Sequence, residues 1–362
     1  MLEKYARLLV DYCLEIQDGE RLFVQGSTLA TPLIKEVYRW AMRRGAVVIT
    51  ELEWSEKSNI FYGEAQGDQL TWESPLLREV FQNFDAYLHI RAPFNLRAGQ
   101  EIDAQKRKTR SKAMEDLQQV YNTRTADRSL RRCLCQYPTH AAAQEAGMSL
   151  EAYERFVFDA CHLYDEDPQE SWLKVRTEQQ RLVDFMNGVK QMRFVGQQMD
   201  LSFSVEGRTW INSDGRTNMP SGEIFTAPVE DSVEGEIYFS YPSVFQGHPV
   251  QGIHLNIHKG VVQSWTADVG ASFLDEIFKI EGARTFGEVA IGTNYHISRA
   301  TKNILFDEKI GGTIHMAIGQ TYIQTGGMNR SSIHWDMITD MKKEGQIWAD
   351  GTLIYEKGKF II

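Results

Sequence analysis

Apolar positions recur at helical spacing over residues 2–16, at Leu2, Tyr5, Leu8, Leu9, Tyr12 and Ile16. Asp18-Gly19 then stops the run, so the chain is expected to open with an amphipathic helix. The apolar segment 21–25, closed by Gly26, reads as a strand. Ser27, Thr28 or Thr31 can cap a helix beginning near Pro32 and ending at Arg43-Arg44-Gly45, where glycine suits a left-handed C-cap. Residues 46–52 read as a second buried strand, and 86–90, after a helical stretch over 75–84, as a third. Strand, helix and strand in that order predict a parallel layer with right-handed crossovers.

Residues 101–190 carry mainly helical patterns: a charged segment to about Gln119, a second over 149–164 and a third over 172–187. From Met192 onward the period shortens. Strands of alternating character separated by glycine turns dominate, as in Leu201-Ser202-Phe203-Ser204-Val205 before Glu206-Gly207. The expected fold class is therefore α/β. An N-terminal parallel-sheet domain (1–190) precedes a β-rich C-terminal domain (191–362), which is also where the candidate metal-binding residues fall.

Six ionisable residues in the second half interrupt this apolar pattern: Glu223, Glu288, Glu308, His315, His334 and Asp336. Their neighbours are mostly Gly, Ala and Ile, as in Gly287-Glu288-Val289-Ala290 and Ile314-His315-Met316-Ala317, where an unpaired charge is costly to bury. Coordination of a divalent cation resolves that cost. Carboxylates and imidazoles without thiolate suit Zn, Co or Mn, and an open catalytic site more than a closed structural one. His334 and Asp336 stand two apart in a segment expected to be extended, which projects both from one strand face. Glycine before Glu288 suggests that the backbone there approaches another segment closely. His254 and His258 have the i, i+4 spacing of a zinc-protease helix, but Leu255 stands where its catalytic Glu would follow and Lys259-Gly260 reads as a turn.

The stretches around these residues resemble the M29 metallo-aminopeptidases of the aminopeptidase T and aminopeptidase S type. The matching segments are Asn218-Met219-Pro220-Ser221-Gly222-Glu223-Ile224-Phe225, Gly287-Glu288-Val289-Ala290-Ile291-Gly292, Ile314-His315-Met316-Ala317-Ile318-Gly319 with Tyr322, and Asn329-Arg330-Ser331-Ser332-Ile333-His334-Trp335-Asp336, in that order. The resemblance implies two divalent metal ions held by the six residues, with Glu288 bridging them and Tyr322 polarising the substrate or stabilising the tetrahedral intermediate. It implies hydrolysis of N-terminal residues from short peptides with a free N-terminus; two ions would supply a metal-bound hydroxide, and Glu288 is the expected carrier of the proton. It further implies a homodimer. For the acid just upstream of His315, Glu308 and Asp307 both remain open. A catalytically inactive metal- or peptide-binding protein on the same scaffold is the alternative.

Composition narrows the partners. A hydrophobic content of 42% is ample for a core, and no run of eighteen apolar residues suggests a membrane span. A formal charge of −10 disfavours nucleic acid as a partner. The basic run Lys106-Arg107-Lys108 through Lys112 reads as a solvated helix face. Four cysteines, Cys13, Cys133, Cys135 and Cys161, make no disulfide framework; with a charged N-terminus lacking an apolar leader, they point to a cytoplasmic protein. No G-x-G-x-x-G follows the first strand, where the chain reads Gly26-Ser27-Thr28-Leu29-Ala30-Thr31, so a dinucleotide-dependent oxidoreductase is disfavoured.

Overall fold

The computed structural model describes residues 1–362, which divide into two compact units: Met1–Gln169 with Gly215–Pro220, and Glu170–Asp214 with Ser221–Ile362. In the first unit, strands β1 (Arg21–Ser27), β2 (Val47–Glu53), β3 (Ala86–Arg91) and β4 (Arg131–Gln136) form a parallel sheet of order β2-β1-β3-β4, extended by the two-residue strand Asn218–Met219. β1 lies inside the sheet, so Leu22, Phe23 and Val24 are fully buried.

Three features depart from the sequence pattern. β2 is the edge strand, and Val47, Ile49 and Leu52, expected to be buried, are exposed. β4 lies in a region whose pattern reads as helical. Its sequence Arg-Arg-Cys-Leu-Cys-Gln is short and lacks β-branched residues, and its pairing with β3 supplies what local propensity does not. The opening helix is α-helical only over Leu2–Arg7 and widens to a π-turn over Leu8–Cys13. The one charged residue of that π-turn, Asp11, is tied down by the Trp40 indole at 2.9 Å and the Arg44 guanidinium at 2.7 Å.

The basic run lies in the helix Ala104–Ala113, which has no buried residue. Lys106 Nζ nevertheless donates to the carbonyls of Tyr62 and Gly63, at 2.7 and 3.1 Å. All four cysteines are buried free thiols. No helix is long and apolar enough to cross a membrane.

The second unit contains the helix Pro168–Met186 for nearly all its length, an eight-stranded antiparallel sheet and a five-stranded antiparallel sheet. The five-stranded sheet runs His334–Asp340, Thr313–Gly319, Phe286–Gly292, Glu223–Thr226, Ile211–Ser213. One hydrophobic cluster draws on both sheets: Phe194, Leu201, Ile237 and Leu255 from the larger, Ile224, Val289, Ile291, Ile314, Met316, Trp335 and Met337 from the smaller. Strands Phe286–Gly292 and Thr313–Gly319 are buried at every position. Their second face is therefore also enclosed, and it bears the ionisable residues. His254 and His258 lie on the strand Ile253–His258, where His254 Nε2 faces Glu236 at 3.3 Å and His258 Nδ1 faces Glu234 at 3.0 Å.

Candidate metal centre

Alternation along the smaller sheet sends Ile224, Val289, Ile314, Met316, Trp335 and Met337 into the core and leaves Glu223, Glu288, His315, His334 and Asp336 on the opposite face. Strand register then sets them side by side. Glu288 is opposite Ala317, and Ala317 is opposite Asp336; in the next row, Phe225 is opposite Ala290, and Ala290 is opposite His315. The two alanines carry nothing beyond Cβ, so the space between the acids and imidazoles stays clear. Trp335, between His334 and Asp336 in sequence, points the other way; its indole donates to Ser243 Oγ at 2.8 Å and its ring stacks on Phe245 at 4.8 Å. That anchor orients the two polar residues flanking it.

Gly287 makes the bulge that turns Glu288 inward, since the register with Thr313–Gly319 shifts between Phe286 and Glu288. A Cβ at Gly287 would lie 2.5 Å from the Gly319 carbonyl oxygen and 2.6 Å from that of Gln320. We expect Gly287→Ala to cost about 1–3 kcal/mol of stability by overpacking and to lower activity by displacing Glu288. Urea unfolding and turnover, compared with the parent, check both effects.

The polar atoms converge. His334 Nε2 is 3.2 Å from Glu288 Oε2 and 3.3 Å from Asp336 Oδ1. His315 Nε2 is 3.4 Å from Glu288 Oε1, 3.5 Å from Glu223 Oε2 and 4.0 Å from Asp336 Oδ1. Two groups have ligand atoms mutually within 4.8 Å, Glu288 with His334 and Asp336, and Glu308 with His315 and Asp336. Asp336 belongs to both, and Glu288 reaches both histidines with separate oxygens.

Glu308 joins this set from the turn after the helix Ile304–Asp307, and Asp307 does not. The Asp307 carboxylate instead accepts from the Thr301 amide at 2.8 Å, the Thr301 hydroxyl at 2.9 Å and the Lys302 amide at 2.8 Å. Burial raises Asp307 to about 6 against those hydrogen bonds. Two side chains that the sequence pattern did not single out also belong here. Lys309 is fully buried, with its ammonium on Glu308 and 3.5 Å from Glu223. Gln179, from the long helix, donates to the Glu223 carbonyl at 3.2 Å and accepts from Thr293 Oγ1 at 2.7 Å. A polar residue within an otherwise regular helix carries no local signal of such a contact.

The electrostatics are those of a cation site. Burial alone would lower the His315 pKa, but Glu288, Glu223 and Asp336 raise it to about 9. For His334, burial is likewise outweighed by Asp336 and Glu288. Burial raises Glu308 to about 8, Lys309 opposing and Glu223 and Asp336 adding to the rise. Asp336 falls to about 2, because His334 and His315 overcome its burial. His334 Nδ1–H donates to the Gln320 carbonyl oxygen at 2.6 Å, which turns Nε2 toward the carboxylates. Glu223 Oε2 and His315 Nδ1 are buried without a hydrogen-bond partner. Four carboxylates, two imidazoles and an orphaned carboxylate oxygen fit divalent cations.

Tyr322 stands beside the cluster at the head of the short turn Ile323–Thr325, its ring 5.0 Å from that of His334 and 5.8 Å from that of Phe225. It is 46% exposed, yet its phenol pKa is raised by the protein packed around it and by Glu288 and Asp336, against the pull of His334. The hydroxyl therefore stays protonated at neutral pH and can donate a hydrogen bond.

The family model described as Thermophilic metalloprotease (M29) matches residues 1–360. The chain belongs to this family. As an M29 metalloprotease it is a metal-dependent peptide hydrolase. It is 28% identical over 382 residues to Aminopeptidase 2 of Geobacillus stearothermophilus, covering 93% of this chain and 91% of that protein. To Aminopeptidase AmpS of Bacillus subtilis it is 24% identical over 397 residues, covering 97% and 95%. Among solved structures, wild-type AmpT from Thermus thermophilus superposes with a TM-score of 0.86 at 22% identity, covering 100% of this chain and 99% of that one, so this M29 chain has the AmpT fold.

Proposed function

We propose that this protein is an aminopeptidase that removes N-terminal residues from short peptides at a site for two divalent ions. The observation that carries the reading is the pair of triads joined at Asp336 and spanned by the two oxygens of Glu288. One ion would be held by Glu288, His334 and Asp336, and the other by Glu308, His315 and Asp336 with Glu223 alongside. When bound, such ions polarise the scissile carbonyl and lower the pKa of water toward neutrality. Relatives with near-complete coverage bear aminopeptidase names, which supports a free N-terminus as the recognised end.

In this reading Glu288 does the proton work. Its carboxylate, pulled below the ordinary range by His315 and His334 despite burial, takes a proton from the attacking water and returns it to the leaving amine nitrogen. Tyr322 donates its hydroxyl hydrogen to the oxyanion of the tetrahedral carbon. His334, fixed by the Gln320 carbonyl, and Asp336, fixed by its place beside Trp335, keep the cluster rigid as the substrate changes shape.

Chelation is expected to abolish hydrolysis of aminoacyl amides and free-amine dipeptides, and Co²⁺, Zn²⁺ or Mn²⁺ to restore it, with N-acetylated substrates left intact. A panel assay on chelator-stripped protein checks this. Metal uptake without hydrolysis of any substrate would instead favour a binding protein on the same scaffold.

A further inference from the structure

Lys309 is a fully buried lysine beside the cluster. An isolated buried ammonium is costly, so its partners are part of its reason for being there. Those partners are Glu308, the preceding residue, and Glu223, 3.5 Å away on a separate strand. The Lys309 backbone is pinned as well: its amide donates to the Phe306 carbonyl at 3.0 Å and its carbonyl accepts from the Asn294 amide at 3.0 Å. Glu308 by contrast sits at the end of a four-residue helix, where its own backbone does little to aim a long carboxylate. The acids Lys309 holds are the two outside the Glu288, His334 and Asp336 triad.

We infer that Lys309 is a positioning residue: a cation supplied by the chain that ties Glu308 to Glu223 and so fixes one half of the metal centre, leaving the other half to stand without it. This rests on the two-ion reading above. It predicts an asymmetric defect, because a residue that merely filled space would weaken both halves alike or neither.

The test is a Co²⁺ titration of chelator-stripped wild type and Lys309→Met, followed by calorimetry and by the visible d–d absorption of the bound ion. The expected result is two uptake steps in the wild type, and in Lys309→Met one step unchanged and the other weakened about 10–100-fold, the range for losing a group that orients a ligand. Equal weakening of both steps, two unchanged steps, or tighter uptake by the variant overturns the inference while the two-ion reading stands. A wild type that takes up a single ion overturns the two-ion reading instead. Lys309 is then judged without metal, by thermal unfolding in chelator. Lys309→Met with Glu308→Gln should be more stable than Lys309→Met alone, since the amide removes the stranded carboxylate; a double variant no more stable overturns the pairing.

Discussion

Glu288→Gln should lower kcat by about 10³-fold or more, within the range of a positioned acid–base group, and should reduce metal content as well. Glu288 is 5% exposed, and each of its carboxylate oxygens serves a different histidine, at 3.4 Å for His315 and 3.2 Å for His334. The amide keeps the size but replaces one oxygen by a donor, so one side of the cluster loses its acceptor and the site loses a negative charge. Glu288→Asp keeps the charge and withdraws it by one methylene, and should fall between the parent and Gln. Steady-state kinetics with metal analysis of each variant check the series. A Gln variant with normal turnover and a full metal complement would remove Glu288 from both roles.

The second large effect is expected at Tyr322. Tyr322→Phe removes a single hydroxyl from a ring held between His334 and Phe225, so the ring should keep its place and metal content its parent value. Loss of one oxyanion donor lowers kcat by about 10²–10³-fold. Because that hydrogen bond strengthens only as charge develops on the carbonyl oxygen, KM should change little. The phenol is protonated throughout the neutral range, with its pKa raised, so the loss should be the same on either side of neutrality. A Phe variant that turns over normally would place the oxyanion donor elsewhere.

Much of the site was legible in the chain because strands translate spacing into direction. His334 and Asp336 share a face through a two-residue interval, and Gly287 announces the close approach that turns Glu288 inward. The choice between Asp307 and Glu308 was not legible. They are neighbours at the end of the same short helix, and their separation depends on where the Thr301 and Lys302 amides lie, which no local pattern encodes. Lys309 was hidden for a similar reason. A lysine after a glutamate usually marks a solvated turn, and only strand Glu223–Thr226, brought in from more than eighty residues earlier, makes it a buried ion pair.

The fold divides along the same line. Periodicity alone placed β1 and β3 and the strand-rich second half, since alternation and burial are properties of each segment. It did not distinguish β2 as an edge strand or reveal β4, because exposure of one and formation of the other depend on neighbours across the sheet. What the chain encodes locally is which residues want to be inside and which way each strand turns them. That Glu223, Glu288 and Asp336 meet His315 and His334, with Ala290 and Ala317 leaving room between them, follows from register among strands distant in sequence, and Glu308 joins them from its turn only once that sheet has formed.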